Sequence, residues 1–168
     1  MTADLSPAQR KFRAAMANLS AGVNVVTTDG KRGRAGTTVS AVCSVTDTPP
    51  TMIVCINKSA TSYDAFVEND GIAINVLAHE QEDIALLFAN ATDTPRVKRF
   101  DDPRWDLETY GAPVLSGAAA SLVGRIASVS HQGSHSVLFI EVETVVTNPD
   151  TGGLVYFQHK FHSINVNA

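Results

Sequence analysis

Two short stretches of the chain hold residues whose types and spacing could do chemistry. The first is Gly36-Thr37-Thr38-Val39-Ser40-Ala41-Val42-Cys43-Ser44. Strands favour branched and aromatic side chains, yet only Val39 and Val42 have apolar bulk here. Thr37, Thr38, Ser40 and Ser44 bring hydroxyls instead. Small side chains let a flat ligand approach the backbone closely, and hydroxyls can bond its polar rim. The second stretch is the loop Asn57-Lys58-Ser59-Ala60-Thr61-Ser62, with a cation, several hydroxyls and the start of a helix. Helix N-termini attract anions through free N–H groups and the dipole. Alone, each stretch has a plain reading: threonines on an exposed strand, and a helix capped by Ser59 or Thr61. Joined by one apolar strand, they point to a flat aromatic ligand with a phosphate.

Other chemistries find less support. The five histidines are His79, His131, His135, His159 and His162. His159 and His162 would face opposite sides of a strand, so a shared metal is not expected. His135 follows Gly133-Ser134 at a tight turn, where its ring could project over a pocket mouth or simply sit in solvent. No dinucleotide glycine fingerprint, phosphate-binding Gly-Lys-Ser/Thr loop or nucleophile elbow is present. No carboxylate pair stands out; Glu80, Glu82 and Asp83 read as the solvated face of a helix. Two cysteines, Cys43 and Cys55, read as free, buried, small hydrophobes rather than a disulfide or zinc site.

Composition bounds the partners. The chain has 168 residues, 44% hydrophobic and 18% charged, with net charge -4. That suits one domain over residues 1–168. No run of basic residues exceeds the short Lys31-Arg32-Gly33-Arg34 and Arg96-Val97-Lys98-Arg99 clusters. Each cluster reads as a solvated turn, with a local anion site as the alternative. Neither makes the broad basic face that nucleic acid requires. Residues 1–5 lack the pattern of a secretory signal, and no window has the ~20 apolar residues of a membrane span. The expected compartment is the cytoplasm.

The elements that must position these residues follow from periodicity and punctuation. Ser6-Pro7-Ala8-Gln9 forms a capping box with Pro at the first helical position. Phe12, Ala15, Met16 and Leu19 follow at helical spacing, as a face expected to pack on the domain. Val23–Thr28, Gly36–Ser44, Thr51–Ile56, Gly71–Leu77, Ala118–Ser130, His135–Thr147 and Leu154–Phe161 read as strands. Thr51–Ile56 is apolar enough to be buried on both faces. Short helices are expected near Tyr63–Val67 and over Glu80–Asn90, and residues 94–115 read as irregular. Dominant strands with hairpin-length links favour an antiparallel barrel with peripheral helices.

The ordered set of motifs resembles a known family. Ala21-Gly22-Val23-Asn24-Val25-Val26-Thr27-Thr28 and Gly36 to Pro50 are similar to the flavin reductase-like family. So are Ile74-Asn75-Val76-Leu77, Arg99-Phe100, Gly111-Ala112-Pro113-Val114-Leu115, Gly133-Ser134-His135 and Gly153-Leu154-Val155-Tyr156-Phe157. Within that family the chain resembles the reductases serving 4-hydroxyphenylacetate 3-monooxygenase and the pyrimidine-degradation monooxygenase.

The resemblance implies a mainly β fold, a split antiparallel β-barrel with peripheral helices, paired as a homodimer. It implies that FMN or FAD is reduced by NADH, with NADPH as an alternative, and passed to a flavin-dependent monooxygenase. Thr37, Thr38, Val39, Ser40 and Ala41 would line the flavin ring and ribityl chain. Asn57, Lys58, Ser59, Thr61 and Ser62 would hold its phosphate, with Arg99 and Phe100 close by. His135 and Ser134 would flank the nicotinamide. Ser134 stands where many relatives have aspartate, and Ala41 where many have a second serine. Two other readings belong beside this one: a non-catalytic flavin-binding barrel, and an enzyme like pyridoxamine-phosphate oxidase.

Overall fold

The structure is a computed structural model that describes residues 5–166; most of the N-terminal stretch read for a signal lies outside them. Helix α1 (Pro7–Met16) begins as the capping box dictates. Ser6 Oγ accepts from Gln9 N–H, and Gln9 Oε1 accepts from Ser6 N–H at 2.8 Å. Short β1 (Ala21–Gly22) leads into β2 (Asn24–Asp29), which turns at Gly30 into β3 (Ala35–Val39). Strands β4 (Val42–Asp47) and β5 (Pro50–Asn57) form the next hairpin. Helix α2 (Tyr63–Glu68), strand β6 (Gly71–Val76) and helix α3 (Glu82–Phe88) follow.

The irregular stretch holds a 3-10 turn (Arg96–Lys98) and a small ribbon of β7 (Trp105–Asp106) and β8 (Val114–Leu115). Two long strands come next, β9 (Ala120–Gln132) and β10 (His135–Thr147), and then β11 (Gly153–Phe157) and β12 (Lys160–Ile164).

The main sheet is antiparallel, in the order β3-β2-β6-β9-β10-β5-β4. Its outermost strands, β3 and β4, are consecutive in the chain and separated only by Ser40 and Ala41. With Cα atoms about 3.8 Å apart, two residues cannot bridge an open sheet. The sheet must therefore curl until its edges meet. Cys55 N–H donates to Ala41 O at 3.0 Å, and Val42 N–H to Ser40 O at 3.0 Å, fixing the closure. A second sheet, β1-β11-β12, packs Leu154, Tyr156 and Phe161 against β2 and α3.

Alternation along β2 and β6 separates two cores. Val26, Ile72 and Ile74 face the barrel interior with Val54, Ile56, Phe66, Leu138 and Ile140. Val23, Val25 and Leu77 face outward onto α3, packing with Ile84, Phe88 and Trp105. Each such side chain contributes roughly 1.5–3 kcal/mol by its burial. A fully buried amide, Asn75, ties the layers together. It donates to Val25 O at 3.1 Å and Pro113 O at 3.3 Å, and accepts from Leu115 N–H at 2.9 Å and Ser121 Oγ at 2.8 Å.

Several expectations are corrected. Gly36–Ser44 is two strands, because the chain must leave one sheet edge and join the other at Ser40-Ala41. Leu154–Phe161 is likewise a hairpin, turning at Gln158 (φ 48°) and His159 (φ 63°). Two-residue hairpin loops need positive φ, and here non-glycine residues adopt it. Strand β5 is not buried on both faces: Val54 and Ile56 point inward, while Met52, Ile53 and Cys55 are half-exposed. The apolar stripe of α1 is not buried against the domain; Phe12 and Leu19 are each 65% exposed. Cys43 is exposed rather than buried, and Cys55 half-buried.

Asn75→Ala would leave Leu115 N–H and Ser121 Oγ facing a buried void. Unmet buried groups cost about 1–3 kcal/mol each, so urea denaturation should report a loss of about 2–4 kcal/mol. A loss under about 0.5 kcal/mol, the range of neutral surface changes, would show that Asn75 does not join the layers.

Candidate functional site: a cationic cavity and an apolar cleft on one strand

Strand β3 forms one wall of a cavity of about 180 Å³. Its small residues are required there: a Cβ on Gly36 would lie 2.6 Å from the Phe88 ring. Phe88, Phe100 and Trp105 stack edge-on beneath, with ring centroids 5.1–5.4 Å apart. The opposite wall is Ala60, Thr61, Ser62 and Ala65, from the loop before α2 and its first turn. Four arginines complete the lining: Arg32, Arg34, Arg96 and Arg99. The two basic clusters of the sequence, about 60 residues apart, thus converge on one cavity.

The four are not equivalent. Arg32 Nε donates to Glu68 Oε2 at 2.8 Å, and Arg34 Nε to Asp29 Oδ2 at 2.7 Å. The bond and charge of Arg32 hold the Glu68 carboxyl below its usual range. Asn69 pins the Arg32 turn, accepting from Arg32 N–H and donating to Gly33 O, both at 2.9 Å. Arg99 differs. It is only 7% exposed, and its buried Nε has no hydrogen-bond partner. Burial first, and the nearby Arg96 second, push its pKa down. A buried charge without a counter-charge is costly. An anion in the cavity would supply the missing counter-charge.

The same strand borders a second space. Thr38, Val39 and Ser40 line an open apolar cleft of about 400 Å³ with Tyr156, His159 and Phe161. That volume falls within the range of small-molecule sites. The Thr38 hydroxyl is already committed, donating to Ala85 O at 2.7 Å. Ser40 and Ala41 continue into a shallow groove with Leu19, Cys43, Met52 and Cys55. Burial raises the Cys55 thiol pKa, and Cys43 adds to the effect.

The remaining expected residues lie beside these spaces rather than in them. Asn57 Oδ1 accepts from Ser59 N–H at 3.0 Å and Ser59 Oγ at 2.9 Å, folding the loop on itself. Lys58 N–H donates to Ser134 O at 2.9 Å, which ties this loop to the β9–β10 turn. Ser134 Oγ and His135 Nδ1 are 2.9 Å apart on the exposed turn. Buried Ser136 then links Tyr63 OH (2.7 Å) to His131 Nδ1 (2.8 Å). Of the expected residues, Thr37, Thr61, Ser62, Arg99 and Phe100 line the cationic cavity, and Thr38, Val39 and Ser40 the apolar cleft. Ala41 lies in the shallow groove. Asn57, Lys58, Ser59, Ser134 and His135 line none of the three. Arg32, Arg34, Arg96 and Tyr156 were not anticipated. The two basic clusters held the only sequence signal for the first three. Among the described residues no group of three His, Cys, Asp or Glu gathers to hold a metal.

Fold and cavities define a split β-barrel with a cationic cavity and an apolar cleft along one strand. The chain belongs to the flavin reductase-like family: residues 16–165 match the flavin reductase like domain. It is 47% identical to the 4-hydroxyphenylacetate 3-monooxygenase reductase component of Pseudomonas aeruginosa, over 95% of this chain and 94% of that one. It is 46% identical to the FMN reductase (NADH) RutF of Yersinia enterocolitica, over 93% and 85%. The Streptomyces globisporus NADH:FAD oxidoreductase SgcE6, solved with NAD and FAD fragments, superposes with a TM-score of 0.86. It is 30% identical and covered over 99% of both chains.

Arg99→Met should make the ligand-free protein more stable. The folded state depresses the Arg99 pKa, so it disfavours the charged form throughout the neutral range. Removing the charge while keeping the apolar stem should raise stability by about 1–2 kcal/mol, read as a higher Tm. A lower Tm would mean that Arg99 is satisfied in the fold.

Proposed function

We propose that the chain, as one domain over its whole length, is an NAD(P)H:flavin oxidoreductase. It transfers a hydride from NADH to FMN or FAD and supplies reduced flavin to a partner monooxygenase. The observation that carries this reading is the buried, unpartnered Arg99 in a cationic cavity that shares its strand with a ring-sized apolar cleft. The residues fit a flavin phosphate: a guanidinium whose buried Nε has no partner, the hydroxyls of Thr37, Thr61 and Ser62, and a strand whose small side chains expose its backbone. The relatives' names support the reaction.

Bound flavin supplies the hydride acceptor; that chemistry belongs to the ring system. The chain contributes orientation. Arg99, Arg96 and the 60–62 segment hold the phosphate end, and the backbone from Thr37 to Ala41 presents the ring to solvent. Asn57, Lys58 and Ser59 brace the phosphate segment through the Lys58–Ser134 hydrogen bond. His135 and Ser134, at the turn, orient the nicotinamide. Proximity can supply much of the rate, so no strong side-chain acid or base is needed. The working form is a homodimer, supported by the exposed stripe of Phe12, Met16 and Leu19, which runs into the shallow groove at Ala41. We assign the activity to the cytoplasm, where two free thiols persist.

Mixing the protein with NADH and excess FMN or FAD should bleach the NADH absorbance band catalytically. Flavin binding without NADH consumption would make the chain a binding module instead. His135→Ala should raise KM for NADH about tenfold, the loss of roughly one good polar contact. An unchanged KM would remove the histidine from the site. Sedimentation at micromolar concentration should give twice the chain mass; a monomer active at the same concentration would exclude the dimer as the working form.

A further inference from the structure

The cationic cavity has a charge balance as well as a shape. Arg32 is neutralised by Glu68 and Arg34 by Asp29. Among the described residues, neither Arg96 nor Arg99 has a carboxylate within ion-pair distance. The cavity therefore presents two uncompensated positive charges, one of them buried with an unpartnered Nε. At about 180 Å³ it is smaller than ordinary ligand sites of ~300–1,000 Å³. It is large enough for a phosphate and part of the polyol tail that bears it.

A terminal phosphate monoester carries about -1.5 to -2 charges at pH 7 and three free acceptor oxygens. A phosphate inside a diphosphate bridge carries one charge and offers fewer free oxygens. Two guanidiniums with no other counter-charge match the former. We propose that this cavity selects a terminal phosphate dianion, so that FMN is the preferred flavin over FAD and riboflavin, with Arg96 as a specificity-determining residue. This rests on the flavin reading above and goes beyond it, since the relatives' names include both FMN and FAD. Arg99 is the buried anchor. Arg96, exposed on the 3-10 turn, supplies the second charge and can be removed without disturbing a core.

The test is equilibrium titration of riboflavin, FMN and FAD, followed by flavin fluorescence, on the wild-type protein and on Arg96→Gln. The three ligands share one ring and differ only in the tail. FMN should bind about tenfold more tightly than FAD and about a hundredfold more tightly than riboflavin, one or two charge-assisted hydrogen bonds' worth. Arg96→Gln should weaken FMN about tenfold, narrow its advantage over FAD, and leave riboflavin unchanged. FAD binding as tightly as FMN, or equal weakening of all three flavins, would overturn the selection. Binding of none of the three would overturn the flavin reading itself.

Discussion

Everything in this structure depends on a sheet that must close over two residues. Strands β3 and β4 occupy opposite edges, yet only Ser40 and Ala41 separate them. The sheet has to curl into a barrel for the chain to be continuous, and small side chains are what a sharp bend between crowded strands tolerates. The Cys55–Ala41 hydrogen bond seals the seam. The same economy of side chains exposes backbone along the seam. Three concavities open there in chain order: the cationic cavity at Ala35–Thr37, the apolar cleft at Thr38–Ser40, and the shallow groove from Ser40 to Cys43. Barrel closure and ligand access thus have one physical cause.

Arg99 shows what the fold gives up for the site. A guanidinium that lines the cavity with Phe88 and Phe100, its buried Nε unpartnered, is expected to destabilise the free protein. Such groups persist in folded proteins where their cost is offset by a ligand that arrives later. Nearby polar groups behave differently. Asn75 meets its partners on every side, Thr38 gives its hydroxyl to Ala85, and Arg32 and Arg34 have carboxylates. Among the described residues only His79 Nδ1 and Trp105 Nε1 share the lack of a partner, and neither belongs to a cation as fully buried as Arg99.

Local rules made some of this legible in the sequence. The capping box of Ser6 and Gln9 and the Gly133-Ser134 turn follow from chemistry within a few residues. The poverty of bulk in Gly36–Ser44 was read as a ligand floor on one strand, and gave no sign that the chain crosses there from one sheet edge to the other. What escaped was set by distance in the chain or by packing. Gln158-His159 lacks the Asn-Gly or Asp-Gly signature of a two-residue turn, so the last hairpin looked like one strand. Each basic cluster alone reads as a solvated turn, and only the curl of the barrel brings Arg32 and Arg34 beside Arg96 and Arg99. The stripe of α1 had the right period for burial, but periodicity does not say against what. The hydroxyls suggested a side-chain rim, whereas the Thr38 hydroxyl is consumed inside the fold.

The account's central claim is that the Arg99 cavity receives the phosphate of a flavin whose ring lies along the Thr38–Ser40 cleft. A crystal structure of the protein with FMN tests this most directly. The account predicts phosphate oxygens within hydrogen-bond distance of the Arg99 guanidinium, so that its Nε is no longer without a partner, and the ring against Thr38 to Ser40. A phosphate bound elsewhere, with Arg99 still unpartnered, would contradict it.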